Sequence, residues 1–175
     1  MKPALALLSA SLLLSAASPL AQPSGWGKTS WGMTQAQIKQ AYPGEAVDLP
    51  PAPNVQFNID GREQYAQVGI GSTTIEGTEF SVSFILGPAG LQHVIITPRD
   101  KVFQTRDVYA SLQRALAAKY GEPFANGTAE SGVGTTISQW KTKTSIIQLR
   151  FVDISSIGTK FLTLSYDKLL VNDKL

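Results

Sequence analysis

Seven stretches of this chain have the composition of β-strands, and turn residues lie between most of them. In residues 79–86, the apolar residues Phe80 and Val82 alternate with polar ones, as in a strand with one buried face. Asp60 and Gly61 form a dipeptide typical of two-residue hairpin turns. Strands joined by such short turns pair antiparallel, so the pattern predicts an antiparallel sheet. The predicted strands cover residues 55–59, 62–70, 79–86, 91–97, 136–140, 145–152 and 160–166.

Two helices interrupt the strands. Thr34 and Gln37 have the spacing of a capping box, and Pro43 ends the helix that follows. A second apolar stripe at helical spacing begins near Thr105 and ends before Gly121, a typical residue after a helix C-terminus. The resulting order, α-ββββ-α-βββ, predicts an α+β fold. Two helix-then-antiparallel-strands units pack their helices on the sheet.

The chain length of 175 residues suits one domain, which we place at residues 31–175. Residues 22–30 are rich in Pro, Ser and Gly and are predicted to form a flexible lead-in. Residues 125–135 are rich in Gly and are predicted to form a flexible loop.

Both predicted helices end in similar sequences. Tyr42 precedes Pro and Gly, and Tyr120 precedes Gly, Glu and Pro. This similarity has two explanations. Either the domain consists of two similar halves, 31–98 and 99–175, or the similarity reflects only the general preference of helix ends for Gly and Pro.

The first 21 residues have the pattern of a signal peptide. Lys2 supplies a positive start, and an uncharged Leu/Ala/Ser run follows over residues 4–17. The run is too short for a spanning helix, and the small residues after it predict cleavage between 17 and 21. The alternative, a buried first helix, does not explain why the run has no polar face. We therefore predict a periplasmic or secreted protein, with no stable membrane insertion after signal cleavage.

Composition excludes several kinds of chemistry. The formal net charge is only +2, which argues against a nucleic-acid partner. The chain has no cysteine, hence no disulfide, and its single histidine, His93, lies in a predicted strand. One histidine cannot build a zinc site, and nothing beside it resembles an activated nucleophile. We therefore predict no catalytic residue, no metal and no cofactor.

Two further functional classes stay open beside a non-enzymatic protein-binding or inhibitory module. Glu76 with Glu79, or Asp100 with Asp107, are carboxylates that a hydrolase of an envelope polymer could use if they converged in a cleft. An apolar cavity between helix and sheet would instead indicate a small-molecule carrier.

The three tryptophans have different surroundings in the sequence. Trp140 ends a predicted strand, and Trp31 precedes the first helix. Trp26 lies between glycines with no periodic apolar context. Exposed tryptophans often anchor interfaces, so Trp26 is the predicted partner-binding residue, with packing back on the sheet as the alternative.

The segment Trp31-Gly32-Met33-Thr34, followed by a short helix and Tyr42-Pro43-Gly44, resembles the opening of many small exported bacterial proteins. The order of helices and strands is similar to the beta-lactamase inhibitor protein-like fold, a class that includes small outer-membrane assembly lipoproteins. The chain lacks the lipid-bearing cysteine of those lipoproteins and the cysteines of the inhibitors. The resemblance implies a non-enzymatic role in binding an envelope or secreted protein.

Overall fold

The computed structural model describes residues 24–50, 57–59, 62–129 and 134–169. The predicted signal peptide and its cleavage site lie outside this part of the chain. No helix among the described residues is long and apolar enough to cross a membrane.

Two helices and ten strands make up the described structure. The helices are α1 (Gln35–Ala41) and α2 (Arg106–Tyr120). The strands are β1 (Ala46–Asp48), β2 (Phe57–Ile59), β3 (Arg62–Gln64), β4 (Ala66–Ile75), β5 (Thr78–Gly87), β6 (Gly90–Pro98), β7 (Ala125–Ala129), β8 (Gly134–Lys141), β9 (Ser145–Ile154) and β10 (Thr159–Lys168).

Eight of the strands form one open antiparallel sheet in the order β1-β4-β5-β6-β10-β9-β8-β7, and β2 pairs with β3 separately. The predicted α+β class and the α-ββββ-α-βββ order are confirmed. Two short strands, β1 and β7, add to the predicted ones, and the predicted strand 62–70 is divided into β3 and β4. Strands β4, β5 and β6 form one meander, and β7 to β10 form another. The last strand of each, β6 and β10, pair at the centre of the sheet. The order of strands from edge to centre is therefore the same in both units.

One face of the sheet and both helices share a single apolar core. Alternate residues of β5, among them Phe80, Val82 and Phe84, are buried, as their spacing predicts. The helices bury one side each, with Ile38 from α1 and Leu112 from α2 at most 1% exposed. The opposite, outer face of the sheet points away from both helices.

Helix α1 begins with the predicted capping box. Thr34 Oγ1 accepts a hydrogen bond from Gln37 N at 3.3 Å, and Gln37 Oε1 accepts one from Thr34 N at 2.9 Å. Both bonds satisfy backbone N–H groups that have no partner within the helix. A helix of only seven residues depends on such end contacts and on packing, because its own hydrogen bonds are few.

Replacing Thr34 by Ala is expected to lower the free energy of unfolding by about 1 kcal/mol, since the cap is lost. Urea unfolding of the wild type and the variant measures the difference. Thr34→Ser keeps the hydroxyl and serves as the control. Identical unfolding midpoints for the wild type and Thr34→Ala would show that the cap does not stabilise the protein.

Residues 24–30 differ from the predicted flexible lead-in. They form hydrogen-bonded turns, in which the fully buried Thr29 donates from its hydroxyl to Trp26 O at 2.7 Å. The Trp26 ring centroid lies 6.1 Å from that of Tyr42 and 6.2 Å from that of Phe84. Burial of aromatic surface against the core explains why this Gly-rich segment has a defined conformation.

Strand β7 lies within residues 125–135, which were expected to form a flexible loop. Asn126 Oδ1 accepts a hydrogen bond of 2.6 Å from the hydroxyl of the buried Ser138 in β8. Ser138 Oγ also lies 2.7 Å from the Tyr109 hydroxyl and 2.9 Å from Gln113 Nε2, both in α2. These long-range bonds outweigh the local turn preference of the Asn-Gly dipeptide, because an unpaired buried hydroxyl is costly.

Candidate functional site

The outer face of the sheet carries mostly polar side chains near its centre. Ser81 Oγ in β5 lies 3.1 Å from Thr97 Oγ1 in β6. His93 Nδ1 in β6 bonds Asp167 Oδ1 in β10. These pairs connect neighbouring strands across the face. His93 is thus a strand histidine, as predicted from the sequence, and the structure adds Asp167 as its carboxylate partner.

A groove of about 440 Å³ runs along this face beside the end of β9 and the start of β10. Its lining includes Val152 and Ile154 from β9 and Phe161 and Thr163 from β10. Register explains the arrangement, because Phe161 lies opposite Val152 in the β9–β10 pair. Three apolar side chains therefore line the groove, on the face of the sheet that the helices do not cover.

Phe161 also lines a second, smaller pocket of about 310 Å³ at the same end of the sheet. One side of this pocket is formed by Lys101 and Gln104, in the turn between β6 and α2. The other is formed by residues 158–161, at the start of β10. The groove and the pocket therefore share Phe161 as a lining residue.

Four exposed apolar side chains belong to the segments around this pocket, and we call them the apolar tip. They are Val102, Phe103, Ile157 and Phe161, with 65%, 41%, 69% and 50% of their surface exposed. Exposed apolar residues are ordinary when scattered, but a group of four at one end of the molecule marks an interaction surface.

Local hydrogen bonds hold two members of the apolar tip. Asp100 Oδ1 accepts a bond of 3.0 Å from Val102 N, and Asp100 O accepts one of 3.1 Å from Phe103 N. These bonds form a single 3₁₀ turn, Lys101–Phe103, between β6 and α2. A second 3₁₀ turn, Ser155–Ile157, connects β9 to β10. Gly158 then leaves the turn with a φ of 64°, a left-handed conformation that favours glycine.

Basic side chains line the groove and the pocket beside the apolar tip. Lys101 and Lys160 line the pocket, and Arg150 lines the groove. Lys160 Nζ lies 3.8 Å from Asp153 Oδ2, an ion pair at the edge of the site. Among the described residues that line the groove or the pocket, none is acidic. The site therefore favours a ligand that combines apolar groups with negative charge.

Trp26, the predicted partner-binding residue, lies elsewhere. It is half-buried on the helix-covered side of the sheet, against Tyr42 and Phe84. Its role in partner binding stays a prediction, and the packing described above is the alternative that the sequence analysis weighed. Trp140 is a core residue, and Trp31 Nε1 donates to Ser145 Oγ at 3.0 Å.

The carboxylates that a hydrolase would need have other contacts. Glu79 Oε2 accepts a hydrogen bond of 3.0 Å from Arg99 Nη1, and Asp100 caps the turn after β6. Asp107 lies in the first turn of α2, where the positive end of the helix dipole stabilises its carboxylate. The described residues contain no group of three His, Asp or Glu side chains that could hold a metal ion.

The apolar tip is not among the sites predicted from the sequence, although two features of the sequence point to it. Phe161 lies on the polar face of β10, which also carries Thr163 and Ser165. An aromatic side chain is unusual at such a position. Val102 and Phe103 form an apolar pair within an otherwise polar connection. Only the structure shows that these two signals meet at one end of the sheet.

No protein-family model, curated protein or solved structure matches this chain. The resemblance to the beta-lactamase inhibitor protein-like fold therefore stays an expectation.

Proposed function

We propose that this chain is an exported, non-enzymatic protein-binding module that binds its partner through the apolar tip and the adjacent groove. The observation that carries the proposal is the position of Phe161. Its ring is half exposed and lines both the groove and the pocket. A half-exposed aromatic ring between two concave surfaces is the arrangement of an interface anchor.

The chemistry of the surface defines the partner. The groove can receive side chains and offers apolar contact through Val152, Ile154 and Phe161. Lys101 and Arg150 lie around them and favour acidic groups on the partner. We therefore propose that the partner presents apolar side chains flanked by Asp or Glu. The concave groove is a better fit for protein side chains than for the flat surface of a membrane.

The predicted signal peptide gives the proposed location of this partner. Removal of residues 1–21 would release the domain into the periplasm or the medium, so the partner is an envelope or secreted protein. The small formal charge and the polar sheet face agree with an adaptor or inhibitor that acts by contact.

Replacing Phe161 by Asp is expected to abolish partner capture, because a carboxylate would enter the apolar groove near the partner's acidic groups. Immobilised wild type and variant are incubated with envelope extract, and retained proteins are identified by mass spectrometry. Titration calorimetry with the purified partner then compares wild type and Phe161→Ala. Loss of a true anchor weakens binding by about thirtyfold or more.

Val47→Asp is the matched control. Val47 is 51% exposed but lies in β1, at one edge of the sheet and away from the apolar tip. This variant should retain the same partner as the wild type. The proposal is wrong if Phe161→Asp retains that partner equally well. It is also wrong if the purified protein binds anionic phospholipid vesicles in a Phe161-dependent manner and captures no protein.

A further inference from the structure

A pocket of about 450 Å³ lies at the other end of β10. Three segments surround it: residues 24–27, the C-terminal end of α2 and the turn between β8 and β9. Tyr166 in β10 and Ile147 in β9 also contribute to the lining. Tyr166 is five residues along β10 from Phe161, which separates the two sites by about 17 Å.

The charged side chains of this pocket all have one sign. Lys119 comes from the end of α2 and Lys143 from the β8–β9 turn. The described lining contains no Asp or Glu, and its other polar side chains are hydroxyl groups. Ammonium groups only donate hydrogen bonds, so the two lysines offer donors to an acceptor-rich ligand.

Hydrogen bonds that do not involve the lysines build one wall of the pocket. Ser24 O accepts from Thr144 Oγ1 at 3.0 Å and from Ser145 Oγ at 2.9 Å. Ser24 Oγ accepts from Trp31 N at 3.1 Å. These contacts attach residues 24–27 to the β8–β9 turn. The wall is therefore preformed, and substitution of a lysine need not disturb it.

The buried Tyr166 adds no negative charge to the pocket. Tyr166 is 4% exposed and hydrogen-bonds to Tyr120. Burial raises the pKa of the Tyr166 hydroxyl far above its usual value, and the neighbouring Tyr120 raises it further. The hydroxyl thus stays neutral at physiological pH. Trp140 Nε1 donates to Gly121 O at 2.8 Å, which satisfies one carbonyl group just beyond the end of α2.

We propose that this pocket binds a small molecule through a carboxylate or phosphate group, with Lys119 and Lys143 as its charged partners. Both kinds of oxyanion accept several charge-assisted hydrogen bonds, which the two ammonium groups supply. The inference does not depend on the proposed protein-binding function, because the two sites share no lining residue.

NMR titration of the exported chain with sodium phosphate, and separately with sodium acetate, tests the proposal. Chloride keeps the ionic strength constant. At least one of the two anions is expected to shift amide resonances around Lys119 and Lys143 in a saturable manner. The anion that does so identifies the preferred group. Replacing both lysines by Gln is expected to weaken that binding by about tenfold or more.

Lys39→Gln is the control, because it removes a positive charge of the same kind in α1, at a residue that lines neither the pocket nor the site at the apolar tip. It should leave anion binding unchanged. The proposal is overturned if neither anion produces saturable shifts at the pocket, or if the double variant binds the anion as tightly as Lys39→Gln does. Partner capture by the lysine variants is measured in parallel, so a failure of anion binding is distinguishable from a failure of the protein-binding proposal.

Discussion

Replacing Trp140 by Ala is expected to lower the free energy of unfolding by about 3–5 kcal/mol, the range for deleting a large buried aromatic side chain. Trp140 is 1% exposed and lies opposite Ile147 in the β8–β9 pair. Its Nε1 donates to Gly121 O at 2.8 Å and so connects β8 to the end of α2. The variant therefore leaves both a cavity and an unsatisfied carbonyl group. Urea unfolding followed by circular dichroism measures the loss.

Two controls separate these effects. Trp140→Phe keeps most of the buried ring but removes the donor, so it should cost less than Trp140→Ala. Phe124→Ala removes an aromatic side chain that is 61% exposed and should change the free energy of unfolding by less than about 0.5 kcal/mol. A Trp140→Ala protein as stable as Phe124→Ala would show that Trp140 does not pack in the core.

Replacing Gly27 by Ala is expected to cost about 3 kcal/mol, through overpacking and the loss of a hydrogen bond. A Cβ atom at this position would lie 2.0 Å from the Tyr42 hydroxyl oxygen. That hydroxyl accepts a bond of 2.7 Å from Lys28 N, so it cannot move without breaking the bond. Gly27 also has a φ of 57°, which is unfavourable for any residue with a side chain.

A double-mutant cycle tests this explanation. In the Tyr42→Phe background the clashing oxygen is absent, and Gly27→Ala should cost only about 1 kcal/mol, from the backbone conformation alone. Gly44→Ala is the matched control, since Gly44 has a φ of 77° and open space where a Cβ would lie. Equal costs for Gly27→Ala in the two backgrounds would show that residues 24–30 do not pack on Tyr42 as described.

The expected loss at Gly27 also bears on the function. Ser24, Gly25 and Gly27 line the proposed anion pocket, and Trp26 packs on the core beside them. A variant that displaces this segment should weaken anion binding and leave partner capture at the apolar tip unchanged. The two proposed sites are thus separable by mutation.

Local patterns predicted much of the fold. The Thr34 capping box, the Gly after α2 and the alternation in β5 and β10 depend on spacing along the chain, which short sequence segments encode. The inner face of the sheet followed from the same alternation. Trp140, at the end of a predicted strand, is a core residue.

The candidate site was not predictable in the same way. Phe161 on the polar face of β10 is a single irregularity, and Val102 with Phe103 is another, about 60 residues earlier in the chain. Neither indicates a site alone. They meet because β6 and β10 pair antiparallel at the centre of the sheet, which places the end of one strand beside the start of the other.

The sequence by itself determined the class of fold, the ends of the helices and the absence of any cysteine or histidine cluster, because these depend on residue type and near-neighbour spacing. Tertiary structure alone decided three features: the packing of Trp26 on Tyr42 and Phe84, the formation of β7 through Asn126 and Ser138, and the position of the apolar tip. Each depends on partners far away in the chain. The free energy of such contacts comes from burial and from satisfying buried polar groups, and neither is visible until the sheet order brings the partners together.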